Sequence, residues 1–220
     1  MKTVLITGAN RGIGFALAQE YLTHGWHVIA VCRKASLELG ETSAQVIAGV
    51  DVTDAASVHD LAEQLSGIKI DLLINNAGIL AADHLGDIDY NNVTQQFLVN
   101  AQAPLQVTEV LLEHLNDNAK IAFITSRMGS IADNTSGGYY GYRMSKAALN
   151  AAAKSLSLDV KARGIAVAIL HPGYVQTAMV NFGGDISASE SAQRLTKRIA
   201  ELNLHNTGGF WHSNGDSLPW

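Results

Sequence analysis

Residues 3–14 read Thr3-Val4-Leu5-Ile6-Thr7-Gly8-Ala9-Asn10-Arg11-Gly12-Ile13-Gly14, an aliphatic run that stops on a glycine-rich turn. A helical pattern follows over 12–24, with Ile13, Leu17 and Tyr21 on one face and Gly25 placed to cap it in the left-handed region. A strand that passes directly into a helix through glycines presents free N–H groups and a partial positive charge to an anion. The missing side chains of Gly8, Gly12 and Gly14 let backbone approach a pyrophosphate. The stretch predicts a strand–helix unit built to hold a dinucleotide.

Working outward, further aliphatic runs occur at 28–31, 46–47, 72–74, 121–124 and 166–170. Their hydrophobicity is continuous rather than alternating, as in strands covered on both faces. Helices are expected at 57–65, 90–115, 142–163 and 187–202. Strand–helix alternation of this kind predicts an α/β, doubly wound, mainly parallel sheet with right-handed crossovers. With 220 residues and no repeat or composition shift, residues 1–220 are expected to form one domain. Ligands of such sheets lie beyond the carboxyl ends of the strands. Here those ends carry Gly8, Arg33, Asp51, Asn75 and Asn76, Ser126, and Pro172 with Gly173. The site is expected on that rim.

Composition narrows the function classes. A formal net charge of −5 argues against nucleic acid or an anionic membrane as partner. The longest aliphatic run, 165–170, is too short to span a bilayer, and Gly8 cuts short any signal-peptide core. Cys32 is the one cysteine, which excludes an internal disulfide and fits a cytoplasmic location. It is expected to be a small buried residue at a strand end. The eight histidines show no metal-ligand spacing, so no metal is expected.

Charge also selects the cofactor. A site for NAD(H) usually places an acid near the end of the second strand, to meet the ribose 2′-hydroxyl. This chain has Val31-Cys32-Arg33-Lys34-Ala35-Ser36 there, and its first acid is Glu38. A guanidinium grips a 2′-phosphate with paired donors, and Arg11 is placed to close on it from the glycine turn. NADP(H) is therefore expected rather than NAD(H). Asp51 is expected either to accept from the adenine amino group or to cap the following helix.

Tyr142-Arg143-Met144-Ser145-Lys146 places a phenol and an ammonium four residues apart on one helix face. An ordinary tyrosine titrates near ~10, and a neighbouring cation is expected to lower that value and ease proton transfer. Asn100 falls inside the expected 90–115 helix, where asparagine is a mediocre former.

Together, Thr7-Gly8…Gly12…Gly14, Asn75-Asn76-Ala77-Gly78, Ser126, Tyr142…Lys146 and Pro172-Gly173…Thr177 resemble the short-chain dehydrogenase/reductase family, in its compact form, across essentially the whole chain. The tail, with Thr207-Gly208-Gly209-Phe210-Trp211 and Leu218-Pro219-Trp220, resembles the branch of the C-factor proteins and the sniffer carbonyl reductase. The resemblance implies a Rossmann-type domain with a seven-stranded, mainly parallel sheet. It implies Tyr142 as general acid/base, Lys146 as its partner, Ser126 on the substrate carbonyl (Ser130 second in line) and Asn100 in a proton relay. Asn10, Ile13, Val52, Asn75, Ala77, Gly78, Pro172, Gly173, Val175 and Thr177 would join the glycine turn in holding the cofactor. Asn76 is expected to tie strands together, Tyr139 and Tyr140 to line or underlie the pocket, and 176–187 to form a lid. The substrate would be a carbonyl compound or the corresponding alcohol, with a cofactor-binding signalling protein as the alternative. The apolar character of 90–115 and of the helix carrying Tyr142 predicts packing against a second copy, in a homodimer or homotetramer.

Overall fold

Strands β1 (Thr3–Thr7), β2 (His27–Cys32), β3 (Gln45–Ala48), β4 (Ile70–Asn75), β5 (Leu115–Ile124), β6 (Ala166–His171) and β7 (Phe210–His212) form one sheet in a computed structural model that describes residues 1–220. Their order is β3-β2-β1-β4-β5-β6-β7, and every neighbouring pair is parallel. The order reverses between β1 and β4, which is the switch point at which doubly wound sheets open a crevice. β7 is the strand that the aliphatic runs do not reveal.

Side chains that alternate along each strand feed two cores. Leu5, Ile29, Val31, Leu73, Phe123 and Val167 enter one core with α3 (Ala55–Gln64), α5 (Ala103–Val110) and α6 (Tyr140–Asp159). Val4, Ile6, Val28, Ile74, Ala122 and Ala168 enter the other with α1 (Gly12–Thr23) and α7 (Ala188–Glu201). The sheet is thus covered on both faces. Cys32 is buried at the end of β2, as expected.

Most helices fall near their expected spans. Gly25 does take a left-handed φ of 72° after α1. α7 is capped by the hydroxyl of Ser187, which accepts from the amide of Glu190. α2 (Leu37–Gly40) is one turn capped by Ser36. The continuous helix expected over 90–115 is not present. α4 (Tyr90–Phe97) gives way to a π-helical turn, Leu98–Gln102, before α5, and β5 already begins at Leu115. The amide of Ala103 reaches the carbonyl of Leu98, five residues back. Pro104 lacks the N–H that a regular ladder would send to residue 100, so the wider turn forgoes no available bond there.

The outward face of α4, α5 and α6 exposes Phe97, Leu105, Met144 and Leu158. No helix is long and apolar enough to cross a membrane.

Candidate active site

The glycine turn is built by close packing. Gly8 has φ 67°, and a Cβ there would lie 2.8 Å from the Cα of Ala77. A Cβ at Gly14 would overlap the carbonyl oxygen of Gly8 and come within 2.5 Å of Nδ2 of Asn76. Thr7 and Asn76 lock the arrangement. The Thr7 hydroxyl accepts from the amides of Asn76 (3.1 Å) and Ala77 (3.2 Å), while Asn76 Nδ2 donates to the carbonyls of Thr7 (3.0 Å) and Gly8 (3.2 Å). Asn76 thus ties β1 to β4, as expected. The turn stays open beside the helix N-terminus, where Arg11 offers no capping side chain.

Arg11, Arg33 and Lys34 are exposed on this rim, and none forms an ion pair. A bare helix start flanked by unpaired cations fits the diphosphate and 2′-phosphate of a dinucleotide. Asn10, Ile13 and Gly12 lie half-buried in the turn, and Gly12 faces the methyl of Thr177. Val52 and Ala77 line a small void with Thr7 and Val99.

One expectation here needs correction. Asp51 does not cap α3; Asp54 does, by accepting from the amide of Ala56. The Asp51 carboxylate instead accepts from the amide (2.9 Å) and hydroxyl (2.7 Å) of Thr53, and these bonds, helped by Arg33, lower its pKa. Asn75 turns its side chain away from the rim, donating to the Thr108 hydroxyl at 2.9 Å.

Beyond the turn, α6 carries Tyr142 and Lys146 toward the end of β5. Both are buried, as are Asn100 and Ser126. The Ser126 hydroxyl accepts from the amide of Met128 at 3.1 Å and stands near enough to the Tyr142 phenol to favour its ionised form. Ser130 looks elsewhere, donating to the carbonyl of Trp220 and accepting from the amide of Asp133, both at 3.1 Å. Lys146 Nζ donates to the carbonyl of Ile124 at 3.0 Å and lies 5.8 Å from the centre of the Tyr142 ring. Asn100, held in the π-helical turn, grips residue 79 from both sides: Oδ1 accepts from the amide of Ile79 and Nδ2 donates to its carbonyl, each at 2.9 Å. Its Nδ2 also donates to the Ser145 hydroxyl. Asn100 Oδ1 and Lys146 Nζ converge over Gly78, where a Cβ would lie 3.2 and 3.7 Å from them.

The expected electrostatics of the pair are reversed in the free chain. Burial pushes the Tyr142 phenol up to about 12, opposed only by the nearby Ser126 hydroxyl. Burial also pulls Lys146 down to about 8. Desolvation disfavours both charged forms.

Pro172 and Gly173 follow β6, and Val175 is buried under a short bridge to Ile186. Residues 176–187 fold back on themselves. Gln176 donates to the carbonyl of Ile186, Phe182 to that of Thr177, and Asp185 to that of Tyr174. Asn181 and Phe182 both have positive φ, an unusual conformation for a bulky residue. The Tyr139 ring sits edge-on to His84, and its backbone is left-handed at the start of α6. Asp83 and Gln96 also organise the site, yet no spacing pattern singles them out. No His, Cys, Asp and Glu cluster of metal-binding size is present. A cavity of about 650 Å³ opens at the opposite edge between α1 and α7, beside Lys2, Trp26 and Lys120.

Residues 2–199 match the family model for short chain dehydrogenase. The 1-hydroxy-2-glutathionyl-2-methyl-3-butene dehydrogenase of Rhodococcus sp. (strain AD45) is 38% identical over the full length of both chains. C-signal of Myxococcus xanthus is 44% identical across 69% of this chain and 93% of its own. Among solved structures, the carbonyl reductase Sniffer of D. melanogaster superposes with a TM-score of 0.93 at 28% identity, covering all of both chains. The NADPH-bound carbonyl reductase from chicken fatty liver gives 0.91 at 30% identity, over 100% of this chain and 99% of that one. Glycine turn, parallel sheet and family match agree: this chain is an oxidoreductase of the short-chain dehydrogenase family.

Proposed function

We propose that the chain is an NADPH-dependent reductase that interconverts a ketone or aldehyde and its alcohol. The observation that carries the reading is the buried set of Ser126, Tyr142, Lys146 and Asn100 beside an open glycine turn flanked by Arg11 and Arg33. Two of the similar solved structures are described as NADPH- or NADP-bound, which supports the same cofactor here. Gly8, Gly12 and Gly14 would hold its diphosphate, Arg11 and Arg33 its 2′-phosphate, and the segments at Ala77, Gly78, Pro172, Gly173, Val175 and Thr177 its nicotinamide half. Bound there, the cofactor supplies the hydride.

The chain's own residues handle the proton. Tyr142, kept protonated by burial, is the acid that a reduction needs at the carbonyl oxygen. Ser126 donates to the same oxygen and stabilises the charge that develops there. Lys146, still largely an ammonium at neutral pH, restores the proton through the Asn100 side. The alternative, a signalling protein without chemistry, would need the glycine turn but not this buried set. Leu85, Ile131, Tyr174, Met179 and Phe182, exposed on loops leaving the same edge, favour an apolar substrate. We also assign the α4–α6 face to a second copy, in a homodimer or homotetramer.

The test is NADPH oxidation against a panel of ketones and aldehydes, with NADP⁺ reduction by a glutathionyl alcohol of the kind named for the Rhodococcus relative. Tyr142→Phe is the control, expected to lower kcat by ~10²–10⁴-fold. Full activity in that variant would defeat the mechanism.

A further inference from the structure

Asp83 has no part in the scheme above. It is a buried carboxylate without a cationic partner, in the loop between β4 and α4. Three consecutive amides end on it. Tyr139 donates to its main-chain carbonyl (2.9 Å), Tyr140 to Oδ1 (2.5 Å) and Gly141 to Oδ2 (3.0 Å). The next residue is Tyr142.

α6 needs this help because it carries no cap of its own. Tyr139 stands at the capping position in the left-handed region (φ 53°, ψ 41°), and its side chain makes no capping bond. The free N–H groups and positive end of a helix are ordinarily met by a side chain one to three residues away. Here the carboxylate comes from a different loop, 57 and 58 residues earlier in the chain. That loop is itself fixed. Asn100 holds Ile79 by its amide and carbonyl, and Gln96 Oε1 accepts from the amide of Ala81 at 2.9 Å. On the other side, a Cβ at Gly141 would lie 2.7 Å from Nε2 of Gln96 and 3.0 Å from Cα of Val93, so α6 starts in direct contact with α4. Residues 79–83 form a strap with Asn100 at one end and the first turn of α6 at the other.

We propose that Asp83 is a positioning residue: it sets the height and angle of the first turn of α6, and through it the Tyr142 phenol relative to Asn100 and Gly78. The inference rests on Tyr142 being the acid. An ordinary cap travels with its helix and stabilises it without fixing where it points. A cap from another element fixes the helix end in space, and a misplacement of ~1 Å in a reacting group is worth ~10²-fold in rate.

The experiment compares Asp83→Ala, Asp83→Asn and Asp89→Ala in the full chain. Asp89 caps α4 in the usual way, accepting from the amides of Asn91 and Asn92. Two readouts are taken: amide hydrogen exchange over 139–142, and kcat and KM for NADPH with a carbonyl the wild type reduces. Asp83→Ala is expected to speed exchange of those amides and lower kcat by ~10–100-fold, with KM for NADPH unchanged within about twofold. Asp83→Asn, with one acceptor oxygen in place of two, should fall between. Asp89→Ala should keep the wild-type kcat. Unchanged exchange in Asp83→Ala, or faster exchange with wild-type kcat, overturns the proposal, as does an equal loss of kcat in Asp89→Ala. If Asp83→Ala does not fold, Asp83→Asn decides by the same criteria. A wild type that reduces nothing while exchange still responds to Asp83 would defeat the reading of Tyr142 and leave the anchor standing.

Discussion

Replacing Lys146 by methionine should make the protein more stable and inactive. The ammonium is buried, has no carboxylate beside it, and its single hydrogen bond goes to the carbonyl of Ile124. A fall in pKa from 10.5 to about 8, at about 1.4 kcal/mol per pH unit, means that holding the charge in the fold costs about 3 kcal/mol at neutral pH. Methionine fills similar space without charge but leaves the Ile124 carbonyl without its donor, a loss of about 1 kcal/mol. The net gain is about 2 kcal/mol, a rise in Tm of roughly 4–8 °C for a chain of this size. The pH dependence gives a sharper signature. Between about 8 and 10.5 the unfolded chain keeps the lysine proton and the folded chain does not, so wild-type stability climbs across that window relative to the variant. Thermal melts of both proteins at pH 7 and pH 9.5 should therefore show a gap that narrows as pH rises. A Lys146→Met protein that melts at or below the wild type at pH 7 would refute the reasoning. The same variant should lose reductase activity, because the cost is borne where function needs it.

Arg33→Asp should weaken NADPH and favour NADH, with KM for NADPH rising ~10–100-fold, the worth of one charge-assisted contact; an unchanged preference in steady-state kinetics would remove Arg33 from the site. Gly14→Ala should cost about 1–3 kcal/mol by overpacking and abolish cofactor binding, since its Cβ would overlap the Gly8 carbonyl; thermal melts with and without NADPH check both effects. Size-exclusion with light scattering should give a mass of two or four chains of 23.4 kDa. Phe97→Glu with Leu158→Glu should reduce it to one, whereas a wild-type monomer at micromolar concentration would remove the α4–α6 face as an interface.

What could be read from the sequence was whatever depends on local spacing. The glycine turn, the Tyr142–Lys146 pair on one helix face, and polar residues after each aliphatic run all depend on neighbours within a few positions, and these features lie near their expected places. β7 was hidden because Phe210, Trp211 and His212 carry none of the aliphatic signal of the other strands. The π-helical turn was hidden because 90–115 has an unbroken helical pattern, and Pro104 alone marked the fault. The titration of Tyr142 departs from expectation because a motif reveals the neighbouring charge but not the depth of burial around it. Asp83 carries no signal in the sequence because its partners lie across the fold. The side chain of Asn75 turns to Thr108 across the fold, a partner no local spacing reveals.

The five-residue turn at Leu98–Gln102 leaves the helix segments on either side out of step by one residue. In a regular helix each residue turns the backbone by about 100°, so a one-residue surplus rotates everything on one side of it by that amount. Gln96, just before the turn, and Asn100, inside it, both reach the strap at Ala81 and Ile79, so the surplus residue sets how the rest of α5 is rotated relative to that grip. Deleting any single residue from 98–102 would leave a better helix and a worse enzyme: the ladder would close, and α4 would swing about its axis relative to α5. Among relatives of this chain, a length change confined to that turn would mark a rebuilt site more surely than many substitutions on its rim.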